Sequence, residues 1–230
     1  MIYFVKEIFT MKKLVMYLLI FLLVIWYFTI ILVPICAATV AEDPAPAYRV
    51  TDTRSEEDAQ WLWDTVNKYS PSEELTAGIM GFFYRESGFK SDAIPGYQLF
   101  VTRDICQEFT DTIDAGLSDG STREQFIEQA HNKGGYGLGQ WWAFSYLEAF
   151  YDFAQKWGTS ISDAEMQCAF IVWSIENQRP QILTEFAKYQ NTSNAVYRAG
   201  NLMASIYDGA PDVAGMFGDL AVDCFDKYSK

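Results

Sequence analysis

The sequence predicts a mainly α domain with a small loop or hairpin region, preceded by an N-terminal membrane helix. Three observations lead to this fold class. Helix-start signals followed by apolar residues at helical spacing recur from residue 56 onward. The stretch 89–119 loses that periodicity and contains scattered glycines and a proline. An uncharged apolar run at residues 14–33 is long enough to cross a bilayer.

The composition is that of a folded, acidic protein. Of 230 residues, 50% are hydrophobic and 17% aromatic, and 17 Lys and Arg stand against 30 Asp and Glu, for a net charge of −13. This apolar content excludes a disordered chain, which lacks the surface needed to offset ordering entropy. The acidic balance argues against nucleic acid as a partner, because phosphate binding needs Lys and Arg.

Residues 1–41 form a separate N-terminal segment. Its apolar run at 14–33 follows Lys12 and Lys13 and ends at Pro34. The paired lysines should keep the N-terminal end in the cytoplasm, and the small residues at 36–41 suit a signal peptidase. Two interpretations stay open: an uncleaved signal-anchor and a long cleaved signal peptide. Both make the rest of the chain extracytoplasmic, either membrane-anchored by the N-terminal helix or secreted.

The remaining chain divides into a linker and one domain. Residues 42–55 are polar and contain prolines, which is typical of a linker, so the domain should span residues 56–230. Capping sequences predict helix starts at 70–73, 121–124 and 162–165, with Ser70, Ser121 and Ser162 as the capping residues and Pro71 in the first turn of its helix. Three further starts are marked by Pro180, Ser193 and Pro211. We therefore expect six to eight short helices around one core.

Three cysteines follow the hydrophobic run: Cys106, Cys168 and Cys224. An odd number leaves at least one thiol outside a disulfide. We interpret them as small buried hydrophobic residues, with one disulfide or a nucleophile as the alternatives. The single histidine, His131, gives little support to a Cys-His pair. The sequence has no CxxC or HExxH spacing, so neither a metal nor another cofactor is expected.

Glu86 is the first candidate for a chemical role. It follows the aromatic residues of 82–85 at the end of a predicted helix that stops near Ser87 and Gly88. A carboxylate at a helix end that is backed by aromatic rings loses hydration, so its pKa should rise. A general acid for glycosidic cleavage needs a raised pKa near neutral pH. The alternative is a solvated glutamate paired with Arg85.

A second motif covers residues 135–142, Gly-Tyr-Gly-Leu-Gly-Gln-Trp-Trp. It combines flexible backbone, an amide and aromatic rings, and sugars bind by stacking on aromatic faces and by hydrogen bonds from amides. A phosphate-cradling glycine loop is the weaker interpretation, because no Lys-Ser/Thr pair follows. A helix-entry turn with tryptophans in the core is the structural alternative.

Together these motifs resemble the phage tail-type lysozyme family, a group of peptidoglycan-cleaving domains in the lysozyme-like superfamily, related to goose-type lysozymes and lytic transglycosylases. The likeness covers roughly residues 57–210 and is carried by residues 78–81, 86–88, 109–116, 135–141, 153–158, 160–163 and 166–167. It implies a lysozyme-like α+β fold, Glu86 as the catalytic acid, and Gln140 and Trp141 lining a glycan groove. Further candidates for substrate contact are Ser87, Tyr136, Trp142 and Tyr197. The last of these loosely resembles a tyrosine that faces the acid in lytic transglycosylases, with a core tyrosine as the alternative.

The chain departs from the family pattern at two places. Phe82 stands where an Asn usually follows the 78–81 segment. Trp142 stands where a Thr often follows the Gln-Trp pair, and residues 143–146 supply no Arg. Neither change touches Glu86, but both bear on contacts with substrate.

The resemblance implies that the protein cleaves peptidoglycan glycan strands as a muramidase, at the β-1,4 bond from N-acetylmuramic acid to N-acetylglucosamine. A hydrolase that uses two carboxylates also needs a base or nucleophile. Asp111 and Asp114 rank first because they lie in a family-like segment. Two alternatives stay open: a lytic transglycosylase giving anhydro-muropeptides, and an inactive glycan-binding or assembly module of an envelope machine.

The expected partners follow from the same argument. They are peptidoglycan glycan strands, the membrane through the N-terminal segment, and a secretion, conjugation or prophage apparatus for which the protein opens the cell wall locally. No nucleic acid is expected.

Overall fold

The structure, a computed structural model, describes residues 56–95 and 103–230. This part of the chain is mainly helical, which confirms the principal prediction of fold class, and it contains no β-strand. Its only approach to a sheet, within those residues, is an isolated bridge between Tyr136 and Trp141. The expected α+β character is therefore not found there.

Nine α-helices are described in these residues, against the six to eight expected. Their bounds are α1 Glu56–Tyr69, α2 Glu73–Ser87, α3 Arg103–Asp114, α4 Arg123–Lys133, α5 Phe144–Trp157, α6 Ala164–Gln178, α7 Gln181–Phe186, α8 Ala195–Leu202 and α9 Ala214–Tyr228. A π-helical turn, Met203–Asp208, continues directly from α8. A short 3-10 turn, Pro211–Val213, leads into α9.

Helix α3 lies within the stretch 89–119, where the sequence predicted a small loop or hairpin region. Its buried side chains include Cys106, Phe109 and Ile113. Their spacing of three and four residues places them on one face of a helix. Residues 115–122 are turns, so the hairpin prediction is wrong for the described part of that stretch.

The predicted capping sequences lie at helix starts, but the capping residues differ. In α2 the N-cap is Ser72, whose hydroxyl accepts from the Leu75 N–H, so Pro71 precedes the helix instead of lying in its first turn. In α6 the N-cap is Asp163, which accepts from the Met166 N–H. In each case the side chain that satisfies a free N–H group lies closer to the helix than the sequence prediction placed it.

Helix α2 lies against α8 and α9 at the centre of the domain. Two glycines permit this close approach. A Cβ on Gly78 would lie 2.8 Å from the backbone carbon of Ala199 in α8, and one on Gly81 would lie 2.8 Å from the backbone nitrogen of Ala221 in α9. Contacts this short leave no room for a larger side chain. The helix that ends at Glu86 is therefore fixed on two sides.

An aromatic cluster forms the other half of the core. Phe126 of α4 stacks on Phe150 of α5 at 5.7 Å between ring centroids, and Phe150 contacts Trp141 at 4.9 Å. Phe170 of α6 meets the same Trp141 edge-on at 5.1 Å. The cluster thus anchors the glycine-rich loop between α4 and α5.

The three cysteines Cys106, Cys168 and Cys224 are buried thiols, which confirms the prediction of small buried hydrophobic residues. Burial raises the pKa of the Cys224 thiol to about 12, and it also raises that of Cys106. The reactive thiolate form is therefore disfavoured at both positions near neutral pH.

Within residues 56–95 and 103–230, no helix has both the length and the apolar character needed to cross a bilayer. The predicted membrane segment at 14–33, the peptidase site at 36–41 and the linker at 42–55 lie outside the described residues.

Candidate active site

Glu86 lies in the last turn of α2, as the sequence predicted. Phe82 and Phe83, one turn earlier, are buried in the core. The helix ends at Gly88, which adopts a left-handed conformation with φ 59° and donates its N–H to the Tyr84 carbonyl. This is the usual glycine termination of a helix. The chain then turns away, and Glu86 is left partly exposed at the edge of the aromatic core.

The surroundings of Glu86 favour its protonated form. Burial, reinforced by the negative charge of Asp208 and opposed by Arg85, raises its pKa from 4.5 to about 7. The C-terminal end of a helix also disfavours negative charge, because its free carbonyls carry partial negative charge. The carboxyl group is therefore close to half protonated at neutral pH.

Asp208 is the second carboxylate of the site, and sequence reasoning did not single it out. It is the last residue of the π-helical turn, before Gly209, which has φ 78°. That turn packs against α2. Although Asp208 is exposed, partial loss of hydration raises its pKa while Arg85 opposes the rise, so the same arginine acts on both acids.

Tyr207 fixes the backbone next to Asp208. Its hydroxyl accepts from Trp141 Nε1 at 2.8 Å and lies 2.7 Å from Ser174 Oγ of α6. Its ring lies 5.3 Å from that of Phe82 in α2. Three parts of the fold therefore hold this tyrosine, and through it they position Asp208 near the end of α2.

Tyr146 and Arg179 complete this side of the site. The Tyr146 hydroxyl donates to the backbone carbonyl of Tyr207 at 3.4 Å, and the two rings lie 5.1 Å apart. The Arg179 guanidinium carbon lies 5.0 Å from the centre of the Tyr146 ring, within the range of a cation–π contact. Burial raises the pKa of Tyr146 to about 12, so this residue remains neutral at physiological pH.

The glycine-rich loop is joined to the segment after Glu86 by two buried amides. Gln140 donates to the carbonyls of Ala93 and Gly137 at 2.9 and 2.8 Å. Gln167 of α6 donates to the Ser91 carbonyl at 2.7 Å and accepts from the Leu138 N–H at 2.7 Å. These bonds fix residues 91–94 and 137–140 relative to each other.

Several residues predicted to contact substrate are enclosed. Ser87 is 2% exposed and its hydroxyl donates to the Phe83 carbonyl. Tyr136 is fully buried, with its hydroxyl 2.7 Å from that of Thr110. Gln140 and Trp141 are 7% and 2% exposed. The described contacts of these four residues are with other parts of the protein. We therefore assign them a role in supporting the site and not in contacting the substrate.

Trp142 differs from its neighbours because its side chain is 53% exposed. Its backbone carbonyl lies 2.8 Å from His131 Nδ1, and the His131 ring stacks on Phe144 at 4.0 Å. Phe144 is also about half exposed. Trp142, Phe144 and His131 together form an accessible surface, which we call the aromatic platform.

The two aspartates that the sequence ranked as second carboxylate have contacts within the scaffold. Asp111 is exposed on α3 and accepts from Gln107 Nε2 at 2.8 Å. Asp114 accepts from the Ile161 N–H at 2.9 Å. Asp208 and Arg85 are the charged groups that act on Glu86. A catalytic role for Asp111 or Asp114 stays a prediction of the sequence.

Tyr197 lies on α8, where its ring packs over Gly218 of α9. A Cβ on Gly218 would lie 2.6 Å from Tyr197 Cε2. This contact agrees with the alternative of a core tyrosine, and the position facing the acid stays untested. The tyrosines next to the acid pair are Tyr207 and Tyr146.

No group of His, Cys, Asp and Glu able to hold a metal ion occurs among the residues that the structure describes. Asp208 and Tyr207 are adjacent, but Tyr146 and Arg179 lie about 60 and 30 residues earlier in the chain. No local spacing in the sequence groups them, and only an Asp-Gly pair marks 208–209 as a turn.

The site thus brings a partly dehydrated carboxyl close to a second carboxyl at the edge of an aromatic core. A family model described as phage tail lysozyme matches residues 57–209, which is more than half of the chain, so the protein belongs to the phage tail lysozyme family. Membership places it among lysozyme-like enzymes that act on peptidoglycan. No curated protein and no solved structure matched the chain.

Proposed function

We propose that the protein is a muramidase that hydrolyses the β-1,4 bond from N-acetylmuramic acid to N-acetylglucosamine, with Glu86 as general acid. The observation that carries this proposal is the environment of Glu86. Its pKa of about 7 keeps a proton available at neutral pH. A glutamate with an ordinary pKa of 4.5 would be only roughly 0.3% protonated at pH 7.

The acid acts on the leaving group. Glu86 donates its proton to the glycosidic oxygen as the bond to C1 breaks, which avoids expulsion of a charged alkoxide. Partial burial strengthens this interaction, because water competes less for the proton. Family membership supports the class of reaction, and the choice of this bond and this residue is our proposal.

The aromatic platform supplies a surface for the glycan. Trp142 and Phe144 present about half of their side chains to solvent. Flat apolar rings of this kind offer the stacking contacts that sugar rings use. With a net charge of −13, the protein is not steered to an anionic wall by its overall field. Local contacts must therefore provide binding.

The site of action is proposed from the sequence. The apolar run at 14–33 and the polar stretch at 42–55 fit a domain held outside the membrane by a tether or released after cleavage. A tethered muramidase would open the wall locally for a secretion, conjugation or prophage apparatus. Fractionation of cells that found only a shortened, soluble form would contradict tethering.

The test of function is release of muropeptides from purified peptidoglycan. The wild-type protein should release fragments and clear a turbid wall suspension, whereas Glu86→Gln should not. Glu128→Gln provides a matched control, because Glu128 is an exposed glutamate on α4. Mass spectrometry of the fragments should show reducing ends and not anhydro ends.

Equal release by wild type and Glu86→Gln would remove Glu86 from the mechanism. Wall binding by both proteins with release by neither would contradict the proposed enzyme and indicate a glycan-binding module. Anhydro ends would show a lytic transglycosylase.

A further inference from the structure

The two carboxyl groups of the site lie in different environments. Glu86 is partly enclosed at the end of α2, whereas Asp208 is exposed at the end of the π-helical turn. Where two carboxylates share a site, the enclosed one tends to keep its proton and the better solvated one tends to ionise. The exposed position also leaves Asp208 accessible to a substrate and to water.

The backbone at Asp208 is held firmly. The π-helical turn Met203–Asp208 extends α8, and the Ala210 N–H donates back to the Ala204 carbonyl at 2.9 Å. Tyr207 ties the end of the turn to α6 and to the glycine-rich loop through its hydroxyl. Turns of this type are rare and occur often at functional sites. The backbone that carries Asp208 therefore has a defined position.

The same turn places Asp208 beside the end of α2. The Tyr207 ring contacts Phe82 edge-on with 5.3 Å between centroids, and Glu86 follows Phe82 by one helical turn. The negative charge of Asp208 acts on Glu86, and the positive charge of Arg85 acts on both acids. Arg85 thereby offsets part of the repulsion between two neighbouring carboxylates.

We propose that Asp208 is the second catalytic carboxylate, acting as general base toward the water that attacks the sugar at C1. This inference rests on the proposed function of Glu86. The water oxygen forms a bond to C1 as the bond from C1 to the glycosidic oxygen breaks. The leaving oxygen takes the proton of Glu86, and Asp208 takes a proton from the water. One water molecule is consumed, and the configuration at C1 inverts.

The first experiment compares full-length wild type with Asp208→Ala and Asp208→Asn on purified peptidoglycan. Loss of a general base should lower kcat by about 100- to 10,000-fold with little change in KM. Asp212→Asn is the matched control, because Asp212 is an exposed aspartate in the adjoining 3-10 turn. It should retain wild-type kcat. Thermal unfolding of each variant shows that folding is intact.

Sodium azide distinguishes a general base from a structural residue. Added azide would not restore the cleavage rate if Asp208 were needed only for folding. Azide needs no base to attack C1, so it should restore cleavage by Asp208→Ala at least tenfold. The product should be the glycosyl azide of N-acetylmuramic acid, with the azide at C1 in the α configuration. In wild type, proton NMR should show the α anomer as the first product. Full activity in Asp208→Ala, failure of azide to restore cleavage, or a β anomer formed first would each overturn the proposal.

The outcomes separate this inference from the proposed function. If Glu86→Gln is inactive while Asp208→Ala retains full activity, the muramidase assignment stands and the role of Asp208 fails. If the wild-type protein releases no fragment, both fail.

Discussion

Replacement of Glu86 by glutamine should stabilise the folded protein at alkaline pH while removing activity. The folded-state pKa of Glu86, about 7, lies above the ordinary value of 4.5. The folded protein therefore holds this proton more tightly than the unfolded chain. Linkage then requires that the contribution of Glu86 to stability be complete below pH 4.5 and be lost as pH rises through 7. Glutamine does not ionise, so the variant escapes that loss.

The magnitude follows from the same values. One pKa unit corresponds to about 1.4 kcal/mol, and the interval from 4.5 to about 7 gives about 3 kcal/mol as an upper bound. The partial exposure of Glu86 reduces the effect, so a gain of about 1–3 kcal/mol above pH 8 is expected. Below pH 4 the two proteins should differ little, because a protonated glutamate resembles glutamine.

The assay is urea unfolding of the full-length chain in mild detergent. Tryptophan fluorescence monitors the transition, and the experiment is repeated at pH values between 4 and 9. The difference in unfolding free energy between Glu86→Gln and wild type should grow with pH and reach a plateau above pH 8. Glu128→Gln should show no such growth, because that side chain is exposed. A difference for Glu86→Gln that stays constant across the pH range would refute the reasoning.

Three further predictions concern activity and the loop that supports the site. The alkaline limb of kcat/KM should have a midpoint near pH 7, where Glu86 of the free protein loses its proton, as measured by fragment release at substrate concentrations well below KM. Trp142→Ala should weaken wall binding, measured by cosedimentation, by about tenfold, which corresponds to about 1.4 kcal/mol, with a smaller effect on kcat. Gly137→Ala should destabilise the domain by about 2 kcal/mol or more in urea unfolding, because φ is +79° and a Cβ would lie 2.6 Å from Gln167 Oε1.

Matched variants control for the second and third of these predictions. Trp61→Ala removes another exposed tryptophan, on α1, and should leave wall binding unchanged. Gly158→Ala introduces a Cβ at φ +81° with no heavy atom within 4 Å, so it should cost only about 1 kcal/mol of backbone strain. Equal effects within either matched pair, or an alkaline limb near pH 4.5, would contradict the corresponding prediction.

The end of α2 could be predicted because its signals are local. Gly88 ends the helix in the left-handed conformation expected of glycine. The aromatic side chains at 82 and 83 lie on the buried face, so the sequence could also indicate that the hydration of Glu86 is reduced. Both features depend on neighbours within one or two helical turns, which a sequence pattern records.

Helix α3 was missed although its apolar spacing is helical. Proline and glycine at 95 and 96, with glycines at 116 and 120, made the whole stretch look irregular. These residues flank the helix and do not interrupt it. Because proline and glycine residues flank this short helix, they indicated a loop, although the spacing of its buried residues is helical.

The glycine-rich motif shows why accessibility could not be predicted. Trp141 and Trp142 are adjacent and chemically identical, yet one is buried and the other is half exposed. Gln140 is polar but buried, because its amide bonds to backbone carbonyls within the fold. No helical or strand period runs through this loop, so the sequence does not distinguish its inner and outer side chains.

Asp208 could not be predicted because its role depends on long-range packing. It approaches Glu86 only when α8 and its π-helical extension pack on α2. The sequence ranked Asp111 and Asp114 instead, because they lie in a family-like segment between the two motifs. The position of an aspartate in the sequence does not show how far it lies from Glu86 in the folded protein.

The carbon-13 NMR titration of the Glu86 carboxyl group tests the central claim most directly. The signal can be assigned by its absence from the spectrum of Glu86→Gln. We predict a midpoint near pH 7, coincident with the alkaline limb of glycan cleavage. A midpoint near 4.5, the value of an ordinary solvated glutamate, would contradict the account of Glu86 as a proton donor at neutral pH.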